Sequence, residues 1–194
     1  MKDLYEEFAY DYDEFGSIEN YLGRERSFFQ QLFTEYNVEC DFRYLERAFA
    51  EQFDAVVCLT TSLPHLHTDE DLVTALQSMK DRLRTNGLLV LTQGTTPYTL
   101  SLPPIEVVVN REDFSRIFVK EHDNQFQTIH VIDLYHSKER LESSRYDIVY
   151  KIILDDDYRR LLSEAGFGNI QIYGDYDRSP YSEESRRLIV VAQG

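Results

Sequence analysis

FDAVVCLTTSLPHLHTDEDLVTALQSMKDRLRTNGLLVLT, Phe53 to Thr92, decides the fold of this 194-residue chain. It opens on FDAVVCL, Phe53 to Leu59, a β-branched apolar run that reads as a strand buried on both faces, as parallel strands are. Thr68 then stands as an N-cap, with Asp69, Glu70 and Asp71 in the first turn, where negative charge complements the helix dipole. The pattern predicts a helix from there to about Arg84, ended by Asn86-Gly87, the glycine supplying the left-handed conformation that helix C-termini favour. LLVLT, Leu88 to Thr92, returns as a second buried strand. Strand, helix and strand with short links make a βαβ unit, whose crossover is nearly always right-handed.

On the N-terminal side, Ile18 to Tyr36 carries Tyr21, Leu22, Phe28, Phe29, Leu32 and Phe33 at helical spacing, which predicts an amphipathic helix. Val38 to Phe42 is strand-like, and Arg43 to Glu51 is helical or turn-like. On the C-terminal side, Pro97 to Pro104 reads as loop. Phe114 to Glu121, Gln125 to Tyr135 and Tyr146 to Leu154 alternate polar and apolar residues, the pattern of antiparallel strands with one wet face. Asp155 to Ala165 is a helix stopped by Gly166, with the acids Asp155, Asp156 and Asp157 as cap and dipole partners rather than a metal cluster. Ile170 to Tyr173 and Leu188 to Ala192 are two closing strands.

Asp and Glu outnumber Lys and Arg by 35 to 20, a formal charge of -15. Such a surface repels phosphate backbones and anionic lipid, so neither nucleic acid nor a membrane is expected as partner. The length suits one domain spanning residues 1–194, able to bury a core without disulfides or metals. Cys40 and Cys58 are the only cysteines, too few for a disulfide framework, and a reducing cytoplasm is the expected location. MKDLYEEFAYDYDEF has no basic region followed by an apolar run, and no stretch approaches the roughly 18 apolar residues of a membrane helix, so neither export nor membrane insertion is expected.

Three blocks resemble the small-molecule class I S-adenosylmethionine-dependent methyltransferases. CDFRYL with FDAVVCLTTSLPHL, Cys40 to Leu66, is similar to the end of that family's third strand, carrying an acid, and to its fourth strand and following loop. LRTNGLLVLTQG, Leu83 to Gly94, is similar to the turn and fifth strand, with RTNG where the family usually shows Pro-Gly-Gly. LLSEAGFGNIQIYGDYDRSPYSEESRRLIVVAQ, Leu161 to Gln193, looks like the C-terminal helix, sixth strand, connecting loop and seventh strand. The resemblance implies an α/β fold: a Rossmann-like methyltransferase sheet with an inserted antiparallel β lid at about residues 105–154. It also implies S-adenosylmethionine as cofactor and a small-molecule substrate.

One departure is prominent. In the family a glycine-rich turn between a first strand and a helix approaches the methionine part of the cofactor, and a second strand ends in an acid that binds the ribose. Here Tyr36-Asn37-Val38 runs directly into Glu39-Cys40-Asp41, so the first βαβ part, about 50 residues with its flanks, is missing from the sheet. A segment not carried in this sequence, a shortened chain and a relative that has lost the unit all account for the join.

By the resemblance, Asp41 accepts from the adenine amino group and Phe42 flanks the ring; the plainer reading of Asp41 is a surface acid at a strand end. Leu59 and Thr60 lie beneath the cofactor, since open α/β sheets bind ligands at the carboxyl ends of their strands, although Leu59 also suits plain core packing. Tyr12, with Tyr5 and Tyr10, falls in the opening segment that closes over cofactor and substrate, or is simply an amphipathic segment docked on the body. His65 lies in the loop that faces substrate, where it orients a nucleophile or takes its proton. His65 and His67 as a metal pair lack a recognisable third ligand, and no metal is expected. Arg111 and Arg116 border the inserted strands, where they could meet an anionic substrate; as lone arginines on alternating strands they are expected to be solvated.

Two functions follow from different classes. The first is transfer of a methyl group to a small-molecule acceptor, which needs alignment and exclusion of water more than a catalytic triad. The second is a catalytically inactive scaffold for binding or protein interaction, a homodimer that covers its exposed sheet by association.

Overall fold

The computed structural model describes residues 18–38, 52–136 and 141–194, the side chains of residues 18–24 excepted. In chain order the elements are α1 (Ile18–Glu35), β1 (Phe53–Cys58), a 3-10 turn (Leu63–His65), α2 (Asp69–Asp81), β2 (Leu83–Gln93), α3 (Pro97–Leu100), β3 (Ile105–Asn110), β4 (Phe114–His122), β5 (Phe126–His136), β6 (Leu141–Lys151), α4 (Asp155–Glu164), β7 (Gly168–Tyr173) and β8 (Leu188–Gln193). They divide into two compact units. One comprises Phe28–Leu102 with Tyr150–Gly194, and the other contains Pro103–Val149.

The first unit is built on a sheet of order β1-β2-β8-β7. β1 runs parallel to β2, and β8 is inserted antiparallel to both β2 and β7. The apolar runs are continuous because both faces are covered, as in buried parallel sheets. Leu89, Leu91, Leu188, Val190 and Ala192 face one side and pack with Leu72 and Leu76 of α2 and Tyr158, Leu161 and Leu162 of α4. Leu88, Val90, Ile189 and Val191, one residue out of phase, pack with Phe28 and Leu32 of α1 and with Tyr176. Each such buried side chain contributes about 1.5–3 kcal/mol, and a one-residue slip of β2 or β8 would exchange the two faces.

The local punctuation is mostly as the residues predict. Thr68 caps α2 by accepting from the Asp71 N–H at 3.1 Å, and Gly166 follows α4 at φ +86°. The end of α2 differs from expectation. The helix stops at Asp81, because Leu83 is drawn into the sheet as the partner of Phe53 and buried in the core. The left-handed residue in the turn is Asn86, at φ 62°, not Gly87. Gly87 is required by crowding instead: a Cβ there would lie 2.8 Å from the Arg84 carbonyl oxygen. The turn closes against the chain end, with Asn86 N–H donating to Gly194 and Gly194 N–H to Gly87. Part of the expected loop 97–104 is a short helix, α3, capped by Thr96.

The second unit carries the sheet β3-β4-β5-β6. It confirms the antiparallel reading, adds β3, and begins β6 at Leu141 rather than Tyr146. β3 escapes the pattern because IEVVVN is largely exposed and does not alternate. Arg116 corrects the expectation of a solvated arginine. It is 2% exposed and grips its cross-strand partner Asp133 through Nε and Nη2, at 2.7 and 2.8 Å, with Phe114 beneath the guanidinium. Desolvated pairs of this kind are costly to break and easily replaced. Asp133→Ala is expected to cost about 3–5 kcal/mol in urea unfolding, while replacing the pair jointly, Arg116→Met with Asp133→Leu, should restore most of that loss. Equal destabilisation by the single and the joint replacement would show that the pair is not the source.

Candidate active site at the carboxyl edge of the parallel strands

β7 is antiparallel to β8, and β8 to β2, so β7 points the same way as β1 and β2. The residues that follow these three strands, from Leu59, Gly94 and Gly174, therefore share one edge of the sheet. In open α/β sheets that edge is where ligands bind.

The loop after β1 is held there under strain. Thr60 and Thr61 have φ 56° and 64°, a left-handed conformation that costs β-branched residues of order 1–3 kcal/mol each. β2 holds them in place: Thr60 N–H donates to Thr92 Oγ1 at 3.1 Å, Thr61 N–H to the Thr92 carbonyl at 3.0 Å, and Gly94 N–H to Thr61 Oγ1 at 3.3 Å. Leu59 is half-buried, Thr60 exposed, and nothing stands within 4 Å of the place a Gly94 Cβ would take. The edge is open between the two strand ends.

His65 ends the 3-10 turn, whose Leu63 and Pro64 are buried while His65 itself is exposed. Its ring meets Tyr150 edge to face, with centroids 4.7 Å apart. Lys151 fastens the same stretch by reaching Asp69 at 3.2 Å. Partial burial, with His67 nearby, lowers the His65 pKa, so the ring is neutral at pH 7 and free to accept a proton. Cys58, at the end of β1, is a free thiol whose pKa is raised by burial, and is thus no nucleophile.

Gln93 locks the floor of the edge. Buried at the end of β2, it donates from Nε2 to the Thr95 carbonyl at 2.9 Å and the Ile153 carbonyl at 2.6 Å, and its Oε1 accepts from the Tyr158 hydroxyl at 2.8 Å. Thr96 Oγ1 donates to the Ser185 carbonyl at 2.7 Å and so ties the β7–β8 loop to the same place. In that loop the Tyr181 hydroxyl is buried without a hydrogen-bond partner, and its pKa is pushed up to about 12 by burial and by Asp155 and Glu183.

Of the residues singled out in the sequence, Leu59, Thr60 and His65 are thus placed on one edge. Asp41, Phe42 and Tyr12 lie outside the described residues. Gln93, Tyr158 and Tyr181 were not anticipated; the signal for Gln93 was an amide closing an otherwise apolar strand. Among the described residues no group of three or more His, Cys, Asp or Glu is arranged to hold a metal ion, and no helix is long and apolar enough to cross a membrane.

No protein-family profile matches the chain. It is 30% identical over 161 residues to the glycine/sarcosine N-methyltransferase of Aphanothece halophytica, covering 80% of this chain and 57% of that one. Among solved structures, an S-adenosylmethionine-dependent methyltransferase of Clostridium acetobutylicum superposes with a TM-score of 0.65 at 11% identity, over 84% of this chain and 68% of that one. The sugar N-methyltransferase KedS8 of a Streptoalloteichus species gives a TM-score of 0.61 at 21% identity, over 76% and 58% of the respective chains. The fold is that of the class I S-adenosylmethionine-dependent methyltransferases. In sequence, the chain is similar to the glycine/sarcosine N-methyltransferases, and it spans about half the length of the curated relatives it matches.

The edge is fixed chiefly by Gln93. Gln93→Leu leaves the Tyr158 hydroxyl and two buried carbonyls without their partner, at about 1–3 kcal/mol for each group left unsatisfied. A drop in melting temperature is the expected outcome for Gln93→Leu, and a larger drop for Gln93→Glu, whose carboxylate cannot donate to the Thr95 and Ile153 carbonyls and would face them as a buried charge; an unchanged melting temperature in Gln93→Leu would contradict it.

Proposed function

We propose that this chain serves S-adenosylmethionine-dependent methyl transfer to the nitrogen of a small-molecule acceptor, an amine or amino acid. The observation that carries this reading is the sequence similarity to glycine/sarcosine N-methyltransferases over 161 residues, which takes in the open carboxyl edge between β1 and β2. The cofactor would supply a sulfonium whose methyl group is already a strong electrophile, leaving the protein to align the acceptor and exclude water.

The described residues fit part of that cofactor. Leu59 and Thr60 suit its floor at the strand ends, with Asp41 and Phe42 assigned to the adenine and Tyr12 to the cover. Among the described residues the glycine turn has no counterpart: the GxG at Gly166-Phe167-Gly168 closes α4 instead of opening a helix. His65, oriented by Tyr150, is the residue we assign to take the proton that the acceptor nitrogen loses as its new bond to carbon forms. Partial burial and the neighbouring His67 hold its pKa below the ordinary imidazole value, which favours the neutral ring that can accept this proton.

A second reading is favoured by the join at Asn37 to Asp41: a scaffold that has lost the cofactor unit and acts by binding or as a homodimer. Incubation with methyl-labelled S-adenosylmethionine and a panel of primary and secondary amines, glycine and sarcosine among them, separates the two. Label in an N-methyl product supports transfer, and His65→Ala should then lower kcat about 100-fold with the KM for S-adenosylmethionine unchanged. A folded chain that labels no acceptor sinks the first reading.

A further inference from the structure

Arg178 lies in the loop after β7, on the same edge of the sheet as Leu59 and Gly94. Its backbone is left-handed, at φ 62°, uncommon for a long side chain and a mark of sites where conformation serves function. Its N–H donates to the Asp175 carbonyl at 3.1 Å, and its Nη1 to Glu35 Oε2, at the end of α1, at 2.6 Å. The guanidinium is thereby fixed in place with one edge facing elsewhere. That edge, Nε and Nη2, is buried and without a hydrogen-bond partner, although 27% of the side chain stays open to solvent.

Two buried donors of a permanent cation are not left unmatched without cost, and groups of this kind call for a ligand or ion. The same chain shows what such an edge takes: Arg116 uses Nε and Nη2 to hold both oxygens of Asp133. A planar carboxylate matches that fork in shape and charge. Glu35, Asp175 and Asp177 stand close by in the structure or the loop, so the surroundings accommodate one added negative charge better than a phosphate dianion.

We propose that Arg178 is a specificity-determining residue that binds a carboxylate of the small-molecule acceptor through its Nε and Nη2 edge, with Glu35 as the positioning residue that holds the fork. The proposal rests on the methyltransferase reading for the word acceptor, but the carboxylate site itself does not.

Nuclear magnetic resonance on the full 15N-labelled chain tests it, reading the Arg178 Nε–H signal, assigned by its loss in Arg178→Lys. Acetate should move that signal saturably. Acetamide, the neutral isostere, should bind at least tenfold more weakly, and phosphate no more tightly than acetate. Acetate affinity, followed on neighbouring backbone amides, should fall at least tenfold in Arg178→Gln, and also in Arg178→Lys, which keeps the charge but loses the fork and serves if the Gln variant does not fold. A signal that acetate leaves unmoved, or that acetamide or phosphate moves as readily, overturns the proposal. A chain that binds acetate at Arg178 but transfers no methyl group sinks the methyltransferase reading alone, whereas one that transfers methyl while Arg178 ignores acetate sinks this proposal alone.

Discussion

The pairing of β2 with β8 is the constraint on which the first unit depends. Aside from the polar strand ends, the paired runs 88–91 and 188–192 are continuously apolar and buried, so each must be covered on both faces. Two layers of helix result, α2 and α4 on one side and the second half of α1 on the other. Because β8 is antiparallel to both of its neighbours, it sets β7 running with β1 and β2. That direction gathers three loops, distant in sequence, on one edge. The chemistry of the edge is a consequence of the order in which the strands are laid down.

The edge is then stiffened by polar groups that the core leaves at its rim. Thr92 supplies both its carbonyl and its hydroxyl to the strained Thr60-Thr61 pair. Gln93, one residue on, satisfies all three of its hydrogen bonds inside the core. Satisfied buried networks rigidify their surroundings, and the proposed methyl transfer would depend on rigidity, since such a reaction relies on alignment more than on acid–base power. Three polar groups on this edge await a partner by different routes: His65 through its neutral ring, Tyr181 through a hydroxyl with no hydrogen bond, and Arg178 through its bare fork.

Much of the fold was legible in the residues because it is written in local patterns. FDAVVC, LLVLT and LIVVA have no polar face to place in water, and Thr68 with its three following acids fixes the start of α2. The end of α2 was misplaced because tertiary pairing of Leu83 with Phe53 overrides the usual meaning of Asn-Gly. β3 was missed because an exposed strand carries no burial pattern. Arg116 was misjudged for a related reason: a charged residue on an alternating strand looks solvated until its cross-strand partner is known. Of the proposed site, the position of Leu59, Thr60 and His65 after β1 was legible, because an apolar strand ends just before them. Gln93, Tyr181 and Arg178 draw their significance from partners, or from the lack of them, and sequence spacing does not encode either.

The account stands on the carboxyl edge being a cofactor site in spite of the join at Asn37 to Asp41. Calorimetric titration of the full chain with S-adenosylhomocysteine, the demethylated product, addresses this most directly. Saturable heat with a micromolar Kd, roughly -8 kcal/mol, is the predicted result. A folded chain that gives no binding heat, with S-adenosylmethionine equally silent, would contradict it and leave the fold as a scaffold without its cofactor.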